Sequence, residues 1–463
     1  MQIGHSENLK LSPEQKNKLK NWIGSARFIW NSKIEENNYY YSFARKFVSI
    51  TKWQWINKQE PEHQWINQQF SQFKNKDLTP WLSDTPSTIL RNSAVNWFQT
   101  QMKFMKGECG PPQKKSRSEG GSILLTNDTF EVLDFNGYKI TLMIGQKKNN
   151  IGIVTVRFRR KIASLPNSIT IKVDAYDKWK ISFSYEDLSA QVSDAKTLQK
   201  EWFGQLKNKS FNELKDLVMG LDRGVKVPVA TPDKNLDFTI EQKKSMTNKD
   251  RYLKKLQRKL SRQTKGSNKR SKTKSRVARL HSGIANIRKD FAHKATHDLT
   301  TKNNKKVFIL ENLSTKNMTK SASGTKESPG KNVSAKSGLN REILKVGWHQ
   351  IETFLTYKAI KNGKIVFKVS PQHTSQECSH CGHTHADNRL EQSKFVCVMC
   401  KYTANADTNA SQVIQKRAIK LFLDSGTELS AKGVLQPGTI KTGSRKAKTS
   451  ALVEATQEKR LAS

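Results

Sequence analysis

Two Cys-x-x-Cys pairs, Cys378–Cys381 and Cys397–Cys400, stand fifteen residues apart in the last quarter of the chain. Each pair reads as a tight turn on which two thiolates can reach one metal, and four thiolates complete a tetrahedral shell. That shell leaves no position for a substrate, so the expected zinc is structural. Four unconnected thiols, or two disulfides, are the competing reading, and the C-x2-C spacing favours the metal. What flanks the ribbon carries more chemistry than the ribbon itself. Asp407 stands seven residues after the last thiol, inside "ADTNAS".

Charge narrows the class of partner. The chain has 82 Lys+Arg against 40 Asp+Glu, a formal charge of +42. Such an excess is the footprint of a nucleic-acid binder, whose lysines and arginines displace counterions from a polyanion. A generally basic surface is the bland alternative. No stretch approaches ~20 apolar residues, so no membrane span is expected. The opening "MQIGHSENLK" lacks the apolar core of a secretion signal,. The expected location is the cytoplasm, with the nucleoid. A thiol-rich metal site and an inert Cys109 suit a reducing compartment. The 463-residue length points to roughly two to four domains,.

From about Leu11 to Lys106 the pattern predicts helices. Ser12 is placed as an N-cap, Pro13 at the first helical position and Glu14 in the first turn. Leu19, Trp22, Ile23, Ala26, Ile29 and Trp30 then recur at helical spacing. Seven of the ten tryptophans fall between Trp22 and Trp97; core packing is the first reading, base stacking the second. After the break "CGPPQKKSRSEGG", short alternating runs from Ser122 to about Glu186 predict strands. Hairpin turns are expected at Asn136-Gly137 and Asn149–Gly152, giving a small antiparallel barrel or sandwich. "DAKTLQKEWFGQLKNKSFNELKD" reads as a charged linker.

Three carboxylates then stand at the edges of regular elements. Leu217–Leu221 reads as a buried strand with Asp222 at its end, followed by a turn at Gly224 and a second strand, "VPVAT". Val307–Leu310 is an apolar strand that runs directly into Glu311. Asp407 opens a segment with Ala410, Val413, Ile414, Ala418, Leu421 and Phe422 at helical spacing. Carboxylates gathered at parallel strand ends make a ligand crevice, and hard oxygens suit magnesium. Two such ions ~3.5–4 Å apart activate an attacking water and stabilise a leaving oxygen. The alternative is three unrelated surface acids, since turn aspartates are common. Between Glu241 and Thr300 two basic helices are expected, joined at "TKGSNKRSKT". Their apolar stripe is Leu253, Leu256, Leu260, then Val277, Leu280, Ile284, Ile287 and Phe291. The Lys/Arg faces opposite suit a phosphate backbone. His281, His293 and His297 have no acidic partners at ligand spacing and read as surface or core residues.

Taken in order, "GLDRGVK", "ENLSTKNMTKSASGTKESPGKN", "SPQHTSQECSHCGHTHADNR" and "FVCVMCKYTANADTNAS" resemble TnpB, the OrfB-type protein of insertion sequences. That family is similar to the type V CRISPR effectors, and the resemblance runs over nearly the whole chain. It implies a multidomain α+β protein. An RNase H-like (RuvC) α/β nuclease domain with an inserted zinc ribbon is joined to an N-terminal helical lobe and a small β-barrel wedge domain. The expected divisions are a helical recognition lobe at 1–107, with a possible first wedge strand, and a β-rich wedge at 108–190. A linker at 191–216 precedes the RuvC-like domain at 217–371, with its basic arm at 241–300. The ribbon at 372–403, the last RuvC segment at 404–424 and a disordered basic tail at 425–463, containing "KTGSRKAKTS", complete the chain.

The resemblance further implies an RNA-guided DNA endonuclease. Asp222, Glu311 and Asp407 would be its catalytic magnesium ligands, two ions per site. Cys378, Cys381, Cys397 and Cys400 would hold structural zinc. Its partners would be a guide RNA cut from the transposon end and double-stranded DNA with a short adjacent motif, read by the N-terminal half. Two departures stand out. Only "MQIGHSENLK" occupies the place of the family's first basic strand, and Ala404-Asn405-Ala406 stands where an Asp-Arg pair is frequent. A nuclease-silent RNA-guided repressor, a CRISPR-associated effector and a strand-transferring transposase are the other readings; the intact carboxylates weigh against the first.

Overall fold

The computed structural model describes residues 2–39, 42, 69–146, 149–186, 195–325, 327–391, 393–430 and 432–438. Trp53, Trp55, Trp65 and the tail motif "KTGSRKAKTS" lie outside them. The chain divides into two compact units. The first is Met1–Gln191 with Met246–Ile284, and the second is Val192–Ser245 with Ala285–Ser463.

The first unit opens with a strand, β1 (Gln2–Asn8), at the place where the resemblance, though not the residue pattern, allowed a first strand. Its backbone pairs antiparallel with β7 over seven positions, so the sheet recruits a segment that carries no strong strand propensity of its own,. Helix α1 (Pro13–Tyr39) starts as expected. Gln15 N–H donates to Ser12 Oγ at 3.2 Å, and Ser12 N–H donates to the Gln15 side-chain oxygen at 3.0 Å, a capping box,. α2 (Ser87–Met105) packs on it. Strands β2 (Gly121–Thr126), β3 (Phe130–Phe135), β4 (Lys139–Gln146), β5 (Asn149–Arg157), β6 (Pro166–Val173) and β7 (Trp179–Glu186) follow. They form two antiparallel sheets, β1-β7-β6-β2 and β3-β4-β5. Inward residues of both, such as Leu125, Leu142, Ile171 and Ile181, share one core with Leu19, Trp22 and Ile23 of α1. Trp22, Trp30 and Trp97 are buried, whereas Trp81 is exposed. The turn expected at Asn149–Gly152 lies instead inside β5. Asn150 pairs with Gly145 across a bulge, so the Asn and Gly chemistry serves an irregularity within the ladder,.

In the second unit the stretch expected as a linker is two helices, α3 (Ala195–Lys207) and α4 (Phe211–Leu217). Leu198, Trp202, Phe203 and Leu206 share an apolar side that the charged neighbours mask in sequence, and Ser210 with Glu213 caps α4 in a capping box,. In chain order there follow β8 (Val218–Leu221), β9 (Val229–Ala230), β10 (Asn235–Leu236), α5 (Ile240–Arg262), α6 (Asn268–Thr301) and β11 (Val307–Glu311), with residues 246–284 of α5 and α6 belonging to the first unit. α7 (Thr315–Met318), α8 (Val333–Val346), α9 (Trp348–Lys361), β12 (Ile365–Val369), β13 (Lys394–Val396), β14 (Thr403–Asn405) and α10 (Ala406–Leu423) follow. The central sheet has the order β12-β11-β8, all parallel. Its strands are buried on both faces, as parallel strands between helices are,. Part of the tail expected to be disordered forms a hairpin, β15 (Thr427–Leu429) with β16 (Leu435–Pro437). Lys368 N–H donates to Gly433 O at 2.9 Å, which covers the outer edge of β12,. Among the described residues, no helix is long and apolar enough to cross a membrane.

Candidate active site

Strand periodicity places two of the carboxylates side by side. Met219, Leu221, Phe308 and Leu310 pack into one core layer of the sheet. Val218, Val307 and Ile309 pack into the other, together with Ile414, Ala418 and Phe422 of α10. Alternation therefore puts Asp222 and Glu311 on the α10 face. Leu221 is in register with Leu310, so the next positions, Asp222 and Glu311, are neighbours. Asp222 is held at the strand end by backbone bonds to Ala230 in both directions, at 3.0 and 2.9 Å.

The third carboxylate arrives from the helix. Asn405 caps α10, its side chain accepting from the N–H groups of Asp407 and Thr408,. That cap fixes Asp407 in the first turn. Gly220 lets α10 lie against β8: a Cβ there would stand 2.0 Å from Ser411 O. The close approach joins the start of the helix to the end of the strand, and so Asp407 to Asp222.

Asp222 feels the other two acids. Burial, followed by the charges of Glu311 and Asp407, pushes the Asp222 carboxyl up to about 7, against the pull of Arg389 and the Arg223 backbone N–H. Burial also raises Glu311, and the Thr374 hydroxyl with the Arg223 and Arg417 charges pulls the other way. Arg389 lies 3.6 Å from Asp407. Beneath the strand ends, buried Arg223 bonds Glu352 at 2.8 Å and donates to Glu311 O, while Lys368 pairs with Glu352 at 2.5 Å. A buried carboxylate under the charges of two other acids offers hard oxygens of the kind that divalent cations take,.

The four cysteines converge as a second site. Their sulfurs lie within 4.8 Å of one another. Cys378 is 3.7 Å from Cys400 and Cys381 is 3.6 Å from Cys397. A tetrahedral shell with metal–sulfur bonds of ~2.3 Å has edges of about 3.8 Å, so the geometry fits one ion and leaves each thiol unpaired by disulfide. Both turns close on left-handed residues, Gly382 at φ 78° and Lys401 at φ 59°. The amides of His380 and Cys400 point at the Cys378 and Cys397 sulfurs.

Comparison with known proteins shows the family of the chain. Family models described as "Probable transposase" (OrfB_IS605), "Helix-turn-helix domain" (HTH_OrfB_IS605) and "Cas12f1-like, TNB domain" match residues 207–322, 1–46 and 348–414. The "Putative RNA-guided DNA endonuclease InsQ" of Escherichia coli (strain K12) is 32% identical over 412 residues, 88% of this chain and 90% of that one. The chain belongs to the OrfB (TnpB) family. A "Putative RNA-guided DNA endonuclease" of Streptomyces pristinaespiralis is 23% identical over 87% of this chain and 85% of its own length. The solved Cas12f1-sgRNA-target DNA complex aligns with a TM-score of 0.51 at 14% identity, covering 87% of this chain and 83% of that one. A shared multidomain α/β fold is what that likeness establishes.

Within this OrfB-family chain, the sequence reading assigned no role to four groups at the site, Thr374, Arg389, Arg223 and Arg417, although the first three lie inside the motifs quoted above. Thr374 sits 63 residues from Glu311, and Arg223 sits 129 from Glu352. Arg223 follows Asp222 directly, and a basic residue beside a strand-end acid was the one cue available.

Proposed function

We propose that the chain is a transposon-encoded, RNA-guided DNA endonuclease whose second unit is an RNase H-like (RuvC) nuclease domain. The observation that carries this is the approach of Asp222, Glu311 and Asp407 at two strand ends and one helix start, with Asp222 raised to about 7 by burial and by the charges of the other two. Two magnesium ions bound there would activate a water and neutralise charge on the leaving 3′ oxygen. Asp222, on which the charges of both other acids act, is the candidate to be shared, with Glu311 and Asp407 each completing one shell. Arg389 keeps a positive charge beside Asp407, where a DNA phosphate can approach without meeting bare carboxylates.

The remaining parts follow from the same reading. Zinc on Cys378, Cys381, Cys397 and Cys400 would brace the ribbon. The two-sheet region of the first unit would serve as the wedge that holds RNA. The guide would come from the transposon end, and base pairing would read the target while the protein reads duplex shape and a short adjacent motif. Such a protein would work in the cytoplasm, with the nucleoid. The test is a plasmid carrying the guide match and adjacent motif, incubated with the purified ribonucleoprotein and magnesium. The parent should linearise it, and Asp222→Ala should bind it with unchanged affinity while cutting at least about 1000-fold more slowly, the scale on which transition-state charge stabilisation is lost. Cleavage by Asp222→Ala at the parental rate removes the assignment.

A further inference from the structure

Glu311 is held by a group from outside the carboxylate set. Thr374 is buried, 5% exposed, and donates its hydroxyl proton to Glu311 Oε1 at 2.5 Å. Its other acceptor in reach, Pro371 O, is at 3.2 Å, and one hydroxyl has one proton to give,. Among the described residues the second oxygen of Glu311 accepts no hydrogen bond.

The backbone that delivers Thr374 is unusual. His373 sits at φ 56°, the left-handed region, which strains a non-glycine residue,. Its carbonyl accepts from Gln376 and Glu377, both at 3.0 Å, and its Nδ1 meets Gln376 Oε1 at 3.0 Å. From α10, Arg417 reaches Ser370 O at 3.3 Å and Gln372 O, and its Nε donates to Glu377 Oε2 at 2.7 Å. The turn between β12 and Cys378 is thus gripped ahead of and behind Thr374. A strained turn clamped at both ends, with a buried hydroxyl aimed at a carboxylate, has a positioning role in a centre that needs fixed oxygens.

We infer that Thr374 is a positioning residue for the carboxylate centre, pinning one oxygen of Glu311 and so fixing which oxygen remains for a divalent cation. The inference rests on the nuclease reading above. It also ties the thiol ribbon to that centre, because Thr374 lies four residues before Cys378 on the same clamped turn.

The experiment uses the zinc-loaded full chain and titrates manganese, following free Mn2+ by electron paramagnetic resonance. Magnesium dependence of cleavage by the guide-bound protein is measured alongside. Thr374→Val keeps the shape and removes the hydroxyl; Thr374→Ser keeps the hydroxyl. Thr374→Val should weaken Mn2+ binding and raise the half-saturating magnesium at least about tenfold, the scale reported for groups that orient metal ligands. Thr374→Ser should return both to within about threefold of the parent. Should Thr374→Val not fold, Thr374→Ala takes its place with the same expectation. Parental Mn2+ binding by the hydroxyl-free variant, or failure of serine to rescue, overturns the inference. The underlying site is judged separately: if the parent takes up no Mn2+, or Asp222→Ala takes up as much as the parent, the carboxylate reading itself fails.

Discussion

Asp222 carries a cost in the absence of cations. Its carboxyl is raised to about 7 by burial and by the charges of Glu311 and Asp407. The folded state therefore holds the proton more tightly than the unfolded chain, where an aspartate titrates near 3.9. Stability from this group is fully present below about pH 3.9 and is lost as pH rises through about 7. Asparagine removes the charge while keeping the shape. The rise from about 3.9 to about 7 corresponds to about 4 kcal/mol, so metal-free Asp222→Asn should melt on the order of 10 °C above the parent at pH 8, at about 2–4 °C per kcal/mol for a domain of this size,. At pH 4 the two should melt together. Magnesium should raise the parental melting temperature at pH 8 and leave the variant unmoved. Calorimetry across this pH range checks all three. A parent that melts higher than Asp222→Asn in metal-free buffer at pH 8 would mean that the acids do not repel as described.

At the scale of elements, the junction of β8 and α10 determines whether the carboxylates can meet. Gly220 stands under Ser411 O and the Gln415 amide, where an added Cβ would lie 2.0 and 2.6 Å away. Backbone cannot give way as a side chain can, so Gly220→Ala should cost about 3 kcal/mol or more, at or beyond the usual range for overpacking. Urea unfolding should show the lowered midpoint, and Mn2+ binding should weaken because Asp407 rides on the displaced helix. The strands ending at Asp222 and Glu311 and the helix starting at Asp407 were readable, because apolar runs and helical spacing are local signals. So was the pairing of thiols, whose spacing is itself the signal. What stayed hidden depends on distant partners. β1, which only the resemblance allowed for, exists because β7 offers it an edge. The hairpin at 427–437 exists because β12 has an edge to cover. The helices at 195–217 were obscured by lysines that flank their apolar side. Thr374 and Arg389 look like ordinary turn residues until the chain is folded.

At the scale of the molecule, charge decides how the protein meets its partner. The formal charge is +42, and among the described residues most Lys and Arg are exposed, with few in buried pairs such as Arg223–Glu352. α5 shows the arrangement: Leu253 and Leu256 are buried, while Lys254, Lys255, Arg258 and Lys259 are exposed. Cations presented this way gain most from a phosphate backbone, whose condensed counterions they release. If roughly ten phosphates are met, log affinity for RNA should fall against log salt with a slope near −7, using about −0.7 per phosphate for single strands. Filter binding from 50 to 300 mM KCl measures that slope. Replacing Lys254, Lys255, Arg258 and Lys259 together by glutamine should reduce its magnitude by about 3 if that face lies on phosphate. The melting temperature should stay within a few degrees, since exposed charges contribute little to stability. An unchanged slope would place the phosphate track on another face. A slope shallower than −2 in the parent would leave the charge excess without the nucleic-acid role assigned to it.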